Sequence, residues 1–497
     1  MAAGAAIAVA GLGFAAPAAA APPRIDAASI EDLVSAHLGV TGLTGVAVAV
    51  THGGEVTHAG GYGHTSEGGP VTEDTLMRIG SVSKSFTALA VMQLVDAGEI
   101  GLDEPVATYL PDFATADGRD ADITVRHLLN HTSGLSDAVH PESGIEQPDS
   151  LAEAVAALRE VRLADDPGSA HHYHNPNYQV AARIVEVVSG RSFEDYLREQ
   201  IFAPAGMEAT SSVSNETDPV PGLADGYNRW FGLNTARDES DRFVAGSAGI
   251  VSTAEDLASW LIVQNDGGRA LTGERLAAPG TVQAMHEPSG QGLSYGLGWD
   301  SLDYAGVDQV VHTGSSFTYT SEVRLLPGSG YGFAVLSNSR QPLEAETEAI
   351  MDGLVALSQG REFASAMPLA FIWDLVLTAS AAIAVGLTAW RLRRARPWAA
   401  RRAEVRPWRI GLIAAPPLAV ASTLALLPVL ATLLSGRDVT WTFLWHLTPT
   451  LPASLGIITV AGALTAAVRL RALPRVKTEN GDRRPRFRGR PRQLAGS

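Results

Sequence analysis

The apolar positions of this 497-residue chain fall into two regimes. Up to about residue 365 they come in short runs at strand or helix spacing, broken by Gly, Pro and acidic residues. Beyond that point they form three blocks, Pro368 to Trp390, Ile410 to Leu434 and Phe443 to Val468, each long enough to cross a bilayer as a helix. In the first regime, Ile79 to Gly98 reads IGSVSKSFTALAVMQLVDAG. Its Val82, Phe86, Leu89, Ala90, Val91 and Leu94 give a wide buried helical face, and Gly98 ends it. Thr318 to Leu326 and Tyr331 to Ser337 read as strands around a Pro-Gly turn, which predicts a hairpin. Pro167 to Tyr178, PGSAHHYHNPNY, reads as a turn and loop before a helix beginning near Gln179.

Charge sharpens the division. After Met367 there are 19 basic and five acidic residues; residues 1–367 hold 18 basic and 48 acidic. So acidic a region does not bind phosphate backbones, and no nucleic-acid partner is expected. The stretch 391–409 carries eight Arg and one Glu, the segment from Arg469 onward ten basic and two acidic residues, and 435–442 one of each sign. The positive-inside rule then puts the first and last of these in the cytoplasm and 435–442 outside. It follows that residues 22–365 lie outside the membrane. Asp374 sits near the outer end of the first block, at headgroup level. Residues 2–21 are almost wholly apolar and end in APAAAAPP, which predicts a secretory signal over 1–21, although no basic residue follows Met1. The expected organisation is a signal at 1–21, a soluble domain at 22–365, a three-helix anchor in membrane lipid at 366–470 and a basic cytoplasmic tail at 471–497. The cysteine count is zero, which excludes disulfides, thiolate metal sites and cysteine nucleophiles.

Of 37 basic side chains only Lys84 and Lys477 are lysines. Arginine does not give up its proton in a protein, whereas a buried lysine can. At the start of the predicted helix Ser81 and Lys84 lie one turn apart on one side. The free amides and positive dipole of a helix start, together with burial, lower the lysine pKa and suit a serine nucleophile with an amine base. The plain alternative is an N-capping Ser81 and a solvated Lys84. Tyr173 can pass a proton if a cation lowers its pKa, and Asn175 can orient either a substrate carbonyl or the lysine. His171, His172 and His174 crowd together, but no carboxylate stands at metal-ligand spacing, so no metal is expected. His312-Thr313-Gly314 leads into the hairpin, with Ser315 offering the next amide. Ser294 fits G-x-S-x-G, but without a strand before and a helix after it reads as a loop serine.

GSVSKSFTALAVMQLVDAGEIGLDEPVATYLP, ITVRHLLNHTSGL, the Tyr-x-Asn loop, AGSAGIVSTAEDLASWL, YGLGW and HTG follow in the order seen in the serine β-lactamase and penicillin-binding-protein family, which the chain resembles over about residues 30–355. The likeness is to its class C β-lactamase-related, D-alanyl-D-alanine carboxypeptidase and esterase branch. It implies an α/β fold, an antiparallel sheet flanked by helices with a mostly helical subdomain, followed here by three C-terminal transmembrane helices. It implies Ser81 as acylated nucleophile, Lys84 as base and Tyr173 as general acid/base. Asn175, His312, Thr313, Gly314 and Ser315 would contact substrate, and the amides of Ser81 and Ser315 would form the oxyanion hole. LLNHTSGL around Asn130 is expected to shape a loop. No cofactor is implied. Where typical class C β-lactamases carry Lys-Thr-Gly, this chain has His312, mostly neutral at its ordinary pKa of about 6.5. The expected activity is therefore a membrane-anchored extracytoplasmic serine hydrolase of D-amino-acid peptides or esters. The alternatives are a true β-lactamase or a slowly deacylating penicillin-binding sensor.

Overall fold

The computed structural model of the protein describes residues 24–142, 145–231, 233–289, 292–304, 306–340, 346–364, 369–400, 407–435 and 437–472. The expected signal at 1–21, and the basic tail beyond residue 472, lie outside the described residues. The chain divides into two compact units, one made of residues up to 375 with 428–450, the other of 376–427 with 451 onward.

In the first unit, among the described residues, the main sheet has six antiparallel strands: β1 (Gly45–His52), β2 (Glu55–Gly63), β3 (Asp300–Tyr304), β4 (Val307–Ser315), β5 (Thr320–Leu326) and β6 (Tyr331–Ser337). Their order is β2-β1-β6-β5-β4-β3, so the first strand of the sheet pairs with its last. The expected hairpin is β5–β6, with Leu326 opposite Tyr331 across the Pro-Gly turn.

Strand alternation splits the core in two. Val46, Val48 and Val50 of β1, with Phe333 and Val335 of β6, pack with Ile30 and Val34 of helix α1 (Ala27–Thr41) and with Ile350 and Leu354 of a C-terminal helix (Glu346–Ser358). Each buried Val contributes about 1.5–3 kcal/mol. Ala47, Ala49 and Ala334 face the other way, into the large core with helix α2 (Ser83–Asp96) and its neighbour Ala254–Asn265. Small side chains on that face let the helices come close. Phe86 stacks on Trp260 at 3.8 Å between ring centroids, fixing α2 in this layer. Short helices Val125–Leu129, Leu151–Ala157 and Phe193–Leu197 and the longer α3 (Asn175–Ser189) form the helical part. The expected start near Gln179 is thus corrected to Asn175. Pro176 stands in the first turn, where a missing N–H costs nothing.

Among the described residues two helices are long and apolar enough to cross a membrane, Leu369–Arg393 and Thr450–Ala472. The middle block, expected as one span, is a bent pair, Ala415–Ala425 and Leu427–Ser435, at 59°, and counts as a third span only where the two halves cross together. Pro428 explains the break, because it supplies no N–H and disfavours helical geometry in the residue before it. The last block is likewise divided at Thr448-Pro449, with Trp441–Leu447 a separate short helix in the first unit. Asp374 accepts from Phe231 N at 2.8 Å and from Thr450 Oγ1. Within the second unit, polar groups join helices as they do in apolar surroundings. Thr388 Oγ1 donates to Ala461 O at 3.1 Å, and Thr465 Oγ1 donates to Thr388 Oγ1 at 3.1 Å.

Candidate active site

Ser81 sits in a 3-10 turn, Gly80–Val82, that runs directly into α2. Neither turn nor helix has a side-chain cap, so the plain alternative of a capping serine does not apply. The turn is pinned from several sides. Ile79 N donates to Ile250 O at 3.1 Å, Ile250 N to Ser83 Oγ at 3.1 Å, and Ser321 Oγ to Ile79 O at 2.7 Å. Two glycines allow this approach. Gly80 has φ +48°, and a Cβ there would stand 2.5 Å from Ser315 N. A Cβ on Gly314 would stand 2.0 Å from Ile79 O. The backbones of the Ser81 turn and of β4 therefore touch. Gly314→Ala is expected to push them apart, costing about 1–3 kcal/mol and most of the activity, as thermal unfolding and turnover of the variant will report.

Lys84 is wholly buried, not solvated. Its Nζ lies 3.0 Å from Ser81 Oγ, 2.7 Å from Asn175 Oδ1 and 2.9 Å from Ser247 O. Burial holds the ammonium well below the usual lysine range, with Arg437 and Arg242 adding to it and Glu142 opposing. A neutral amine has two N–H bonds and one lone pair. Asn175 Oδ1 and Ser247 O can only accept, so they take the two N–H groups. The lone pair is left for the Ser81 hydroxyl. The Asn175 orientation follows from its other end, where Nδ2 donates to Glu142 Oε2 at 2.5 Å. Asn175 thus meets the lysine, one of the two partners expected for it.

The Tyr173 ring lies 4.8 Å from Lys84 Nζ, and Ser81 is near enough to act on its phenol. Burial pushes the phenol up to about 12, outweighing Ser81 and Arg437. The expected lowering by a cation is thus corrected, because burial disfavours the phenolate more than the cations favour it. His131 fixes this loop. It sits at φ +61°, fully buried, with its ring 4.4 Å from that of Tyr173. His172 N donates to His131 O at 2.8 Å, and His174 N donates to His131 Nδ1 at 3.2 Å. The motif around Asn130 does shape a loop, and the loop it shapes clamps Tyr173 on both sides.

His312 lies on β4, next to Thr313, Gly314 and Ser315, which pair with Glu322, Ser321 and Thr320 of β5. Its Nδ1 is 2.8 Å from Thr313 O and its Nε2 is 3.0 Å from Tyr295 OH. A carbonyl only accepts, so Nδ1 carries the hydrogen and Nε2 accepts from the phenol. Burial, with Lys84 adding, brings the imidazole down to about 3. His312 is therefore a neutral group. Ser294 is exposed on the turn before β3, while its neighbour Tyr295 points into the site.

Carboxylates do meet the histidine cluster in space, though both are paired with Arg437. Asp137 and Glu142 stand with His174, their ligand atoms within 4.8 Å of one another. These carboxylates come from a loop over 30 residues upstream, so spacing within PGSAHHYHNPNY gave no sign of them. His172 is turned instead to Asp165, at 2.6 Å. Tyr295, His131, Asp137, Glu142 and Arg437 are the site residues that sequence reasoning missed. For Tyr295 and His131 there was a signal, the YGLGW and ITVRHLLNHTSGL motifs.

This fold and constellation define a β-lactamase-type hydrolase domain. Residues 30–357 match the family model described as Beta-lactamase, and the chain belongs to that family. It is 33% identical over 319 residues to penicillin-binding protein 4 of Amycolatopsis lactamdurans, covering 59% of this chain and 80% of that protein. It is 33% identical over 258 residues to a D-aminopeptidase of Brucella ovis, covering 48% of this chain and 46% of that one; here the chain spans under half its relative's length. Among solved structures, D-amino acid amidase from Ochrobactrum anthropi superposes with TM-score 0.55 at 26% identity, covering 67% of this chain and 96% of the amidase. The octameric penicillin-binding protein homologue from Pyrococcus abyssi gives TM-score 0.59 at 25% identity, covering 72% and 82%. The protein is a β-lactamase-fold hydrolase related to penicillin-binding proteins and D-aminopeptidases.

Proposed function

We propose that the protein is a membrane-anchored extracytoplasmic serine hydrolase that works through an acyl-enzyme on D-amino-acid peptides, amides or esters. The carrying observation is the buried Lys84 amine whose two N–H bonds are committed and whose lone pair meets Ser81 Oγ at 3.0 Å. As Ser81 attacks the substrate carbonyl, Lys84 takes its proton. The amides of Ser81 and Ser315, brought together by Gly80, stabilise the oxyanion. Tyr173, kept protonated by burial, passes a proton to the leaving amine and recovers one from Lys84. Water then attacks the acyl group by the reverse route. Thr313 and Gly314 offer an open strand edge to the substrate backbone. Two long apolar helices and the arginine-rich flanks support a multi-pass anchor with this domain outside.

The neutral His312 gives a substrate carboxylate no fixed cation at that position, which favours amides and esters over β-lactams. The relatives named D-aminopeptidase and D-amino acid amidase agree with this preference. The test is a panel on the detergent-purified chain: D-alanyl amides, p-nitrophenyl esters and a chromogenic cephalosporin, with Ser81→Ala as control. Ester and D-amide turnover above cephalosporin turnover, absent in Ser81→Ala, is the expected result. Faster cephalosporin turnover reverses the substrate assignment, and an active Ser81→Ala removes the nucleophile.

A further inference from the structure

A single helix would tether this domain, yet the segment between the second and third apolar blocks returns to the catalytic residues. Arg437 Nε lies 2.7 Å from Asp137 Oδ2, and Nη2 lies 3.1 Å from Glu142 Oε1. Nη1 donates to Tyr173 O at 3.3 Å, and the guanidinium stands 5.4 Å from the Tyr173 ring centroid. Asp438 N donates to Asp137 Oδ2 at 3.1 Å. The same segment makes a second, separate contact. The rings of Phe443 and His446 lie 5.9 and 5.6 Å from that of Phe317, two residues beyond the end of β4.

The carboxylates that Arg437 meets are almost inaccessible, with side-chain exposures of 2% for Asp137 and 12% for Glu142. Two buried carboxylates in contact repel unless a cation or a proton stands between them. Glu142 in turn holds Asn175 at two points, Nδ2 at 2.5 Å and the backbone N at 3.1 Å. Asn175 Oδ1 fixes one N–H of Lys84. An unbroken series of contacts thus runs from Arg437 through Glu142 and Asn175 to Lys84 and Ser81.

We infer that Arg437 is a positioning residue of the active site, supplied by the segment between two apolar blocks, so that the hydrolase is complete only when its membrane-side segment is docked. The inference rests on the Ser81–Lys84 reading proposed above. It makes the tail part of the enzyme as well as its anchor. Arg437 need not touch substrate: it neutralises the pair whose Glu142 holds Asn175, and Asn175 aims the lysine.

The test uses the full chain in lipid nanodiscs. Arg437→Gln is expected to slow ester turnover (kcat) roughly 10- to 100-fold, while KM stays within about threefold. Adding Asp137→Asn to Arg437→Gln removes one of the two facing charges and is expected to restore at least a third of the parental rate. A second readout needs no catalysis. The chain has no cysteine, so Phe317→Cys/Phe443→Cys can be bridged by a short bismaleimide without background. Efficient bridging in membranes is expected. Absent bridging overturns the docking. Parental kcat in Arg437→Gln, a loss confined to KM, or a loss that Asp137→Asn does not restore overturns the positioning role. A parent active without Ser81 overturns instead the reading on which the inference rests, and Ser81→Ala run alongside separates that failure from the others.

Discussion

Lys84→Met is expected to fold and to leave Ser81 unacylated, lowering kcat/KM for esters by about 10³- to 10⁴-fold. Methionine fills a similar volume and removes the lone pair. Intact-mass measurement after a stoichiometric acyl donor reads the result directly, and retained acylation would end the assignment of the base. In the parent, the rate is expected to rise tenfold per pH unit below the lowered Lys84 pKa and then to level off. It should fall again only near the Tyr173 value of about 12. Stability follows the same group. Between the folded Lys84 pKa and 10.5, the unfolded chain binds the proton and the folded one does not, so stability rises with pH across that window. This contribution is complete above 10.5 and is lost as pH falls through the folded value. Lys84→Met should flatten that part of the profile.

Tyr173→Phe is expected to divide the substrates. An amine leaves only when protonated, so D-alanyl amide hydrolysis should fall roughly 10²- to 10³-fold. A p-nitrophenolate departs as a stable anion and needs no such donor, so the ester should lose far less. The comparison is internal to one variant and does not depend on its concentration. Equal losses on both substrates would show that the phenol acts in attack on the carbonyl and not in departure of the leaving group. The buried ring lies 4.4 Å from that of His131, so the variant keeps its packing and loses one hydroxyl.

The residues that proved legible in the sequence are those whose relation is local. Ser81 and Lys84 are three apart at a helix start, and their contact follows from helical geometry. Thr318 to Ser337 declares itself by its turn. The order of six motifs carried the fold class and the family. What stayed hidden depends on distant segments meeting. Glu142 reaches Asn175 across 33 positions, and Arg437 reaches Glu142 across 295. No periodicity encodes such meetings. The imidazole of His312 read as mostly neutral from its ordinary pKa, but its partner Tyr295, 17 positions away, was assigned no role. The helix at Asn175 was placed four residues late because Pro176 reads as a breaker until it is seen to stand in the first turn. The bend at Leu426 was passed over because hydropathy averages across a proline that backbone geometry does not ignore.

The depletion of lysine has a practical consequence. Every primary amine in the described residues is Lys84, and it stands 3.0 Å from the Ser81 hydroxyl, closed off from solvent. A two-headed covalent probe that first esterifies the serine would find one amine within reach, uncharged and already aimed. Cross-linked peptide mapping of such an adduct would have one answer, and inhibitors could be built to tie those two atoms together permanently.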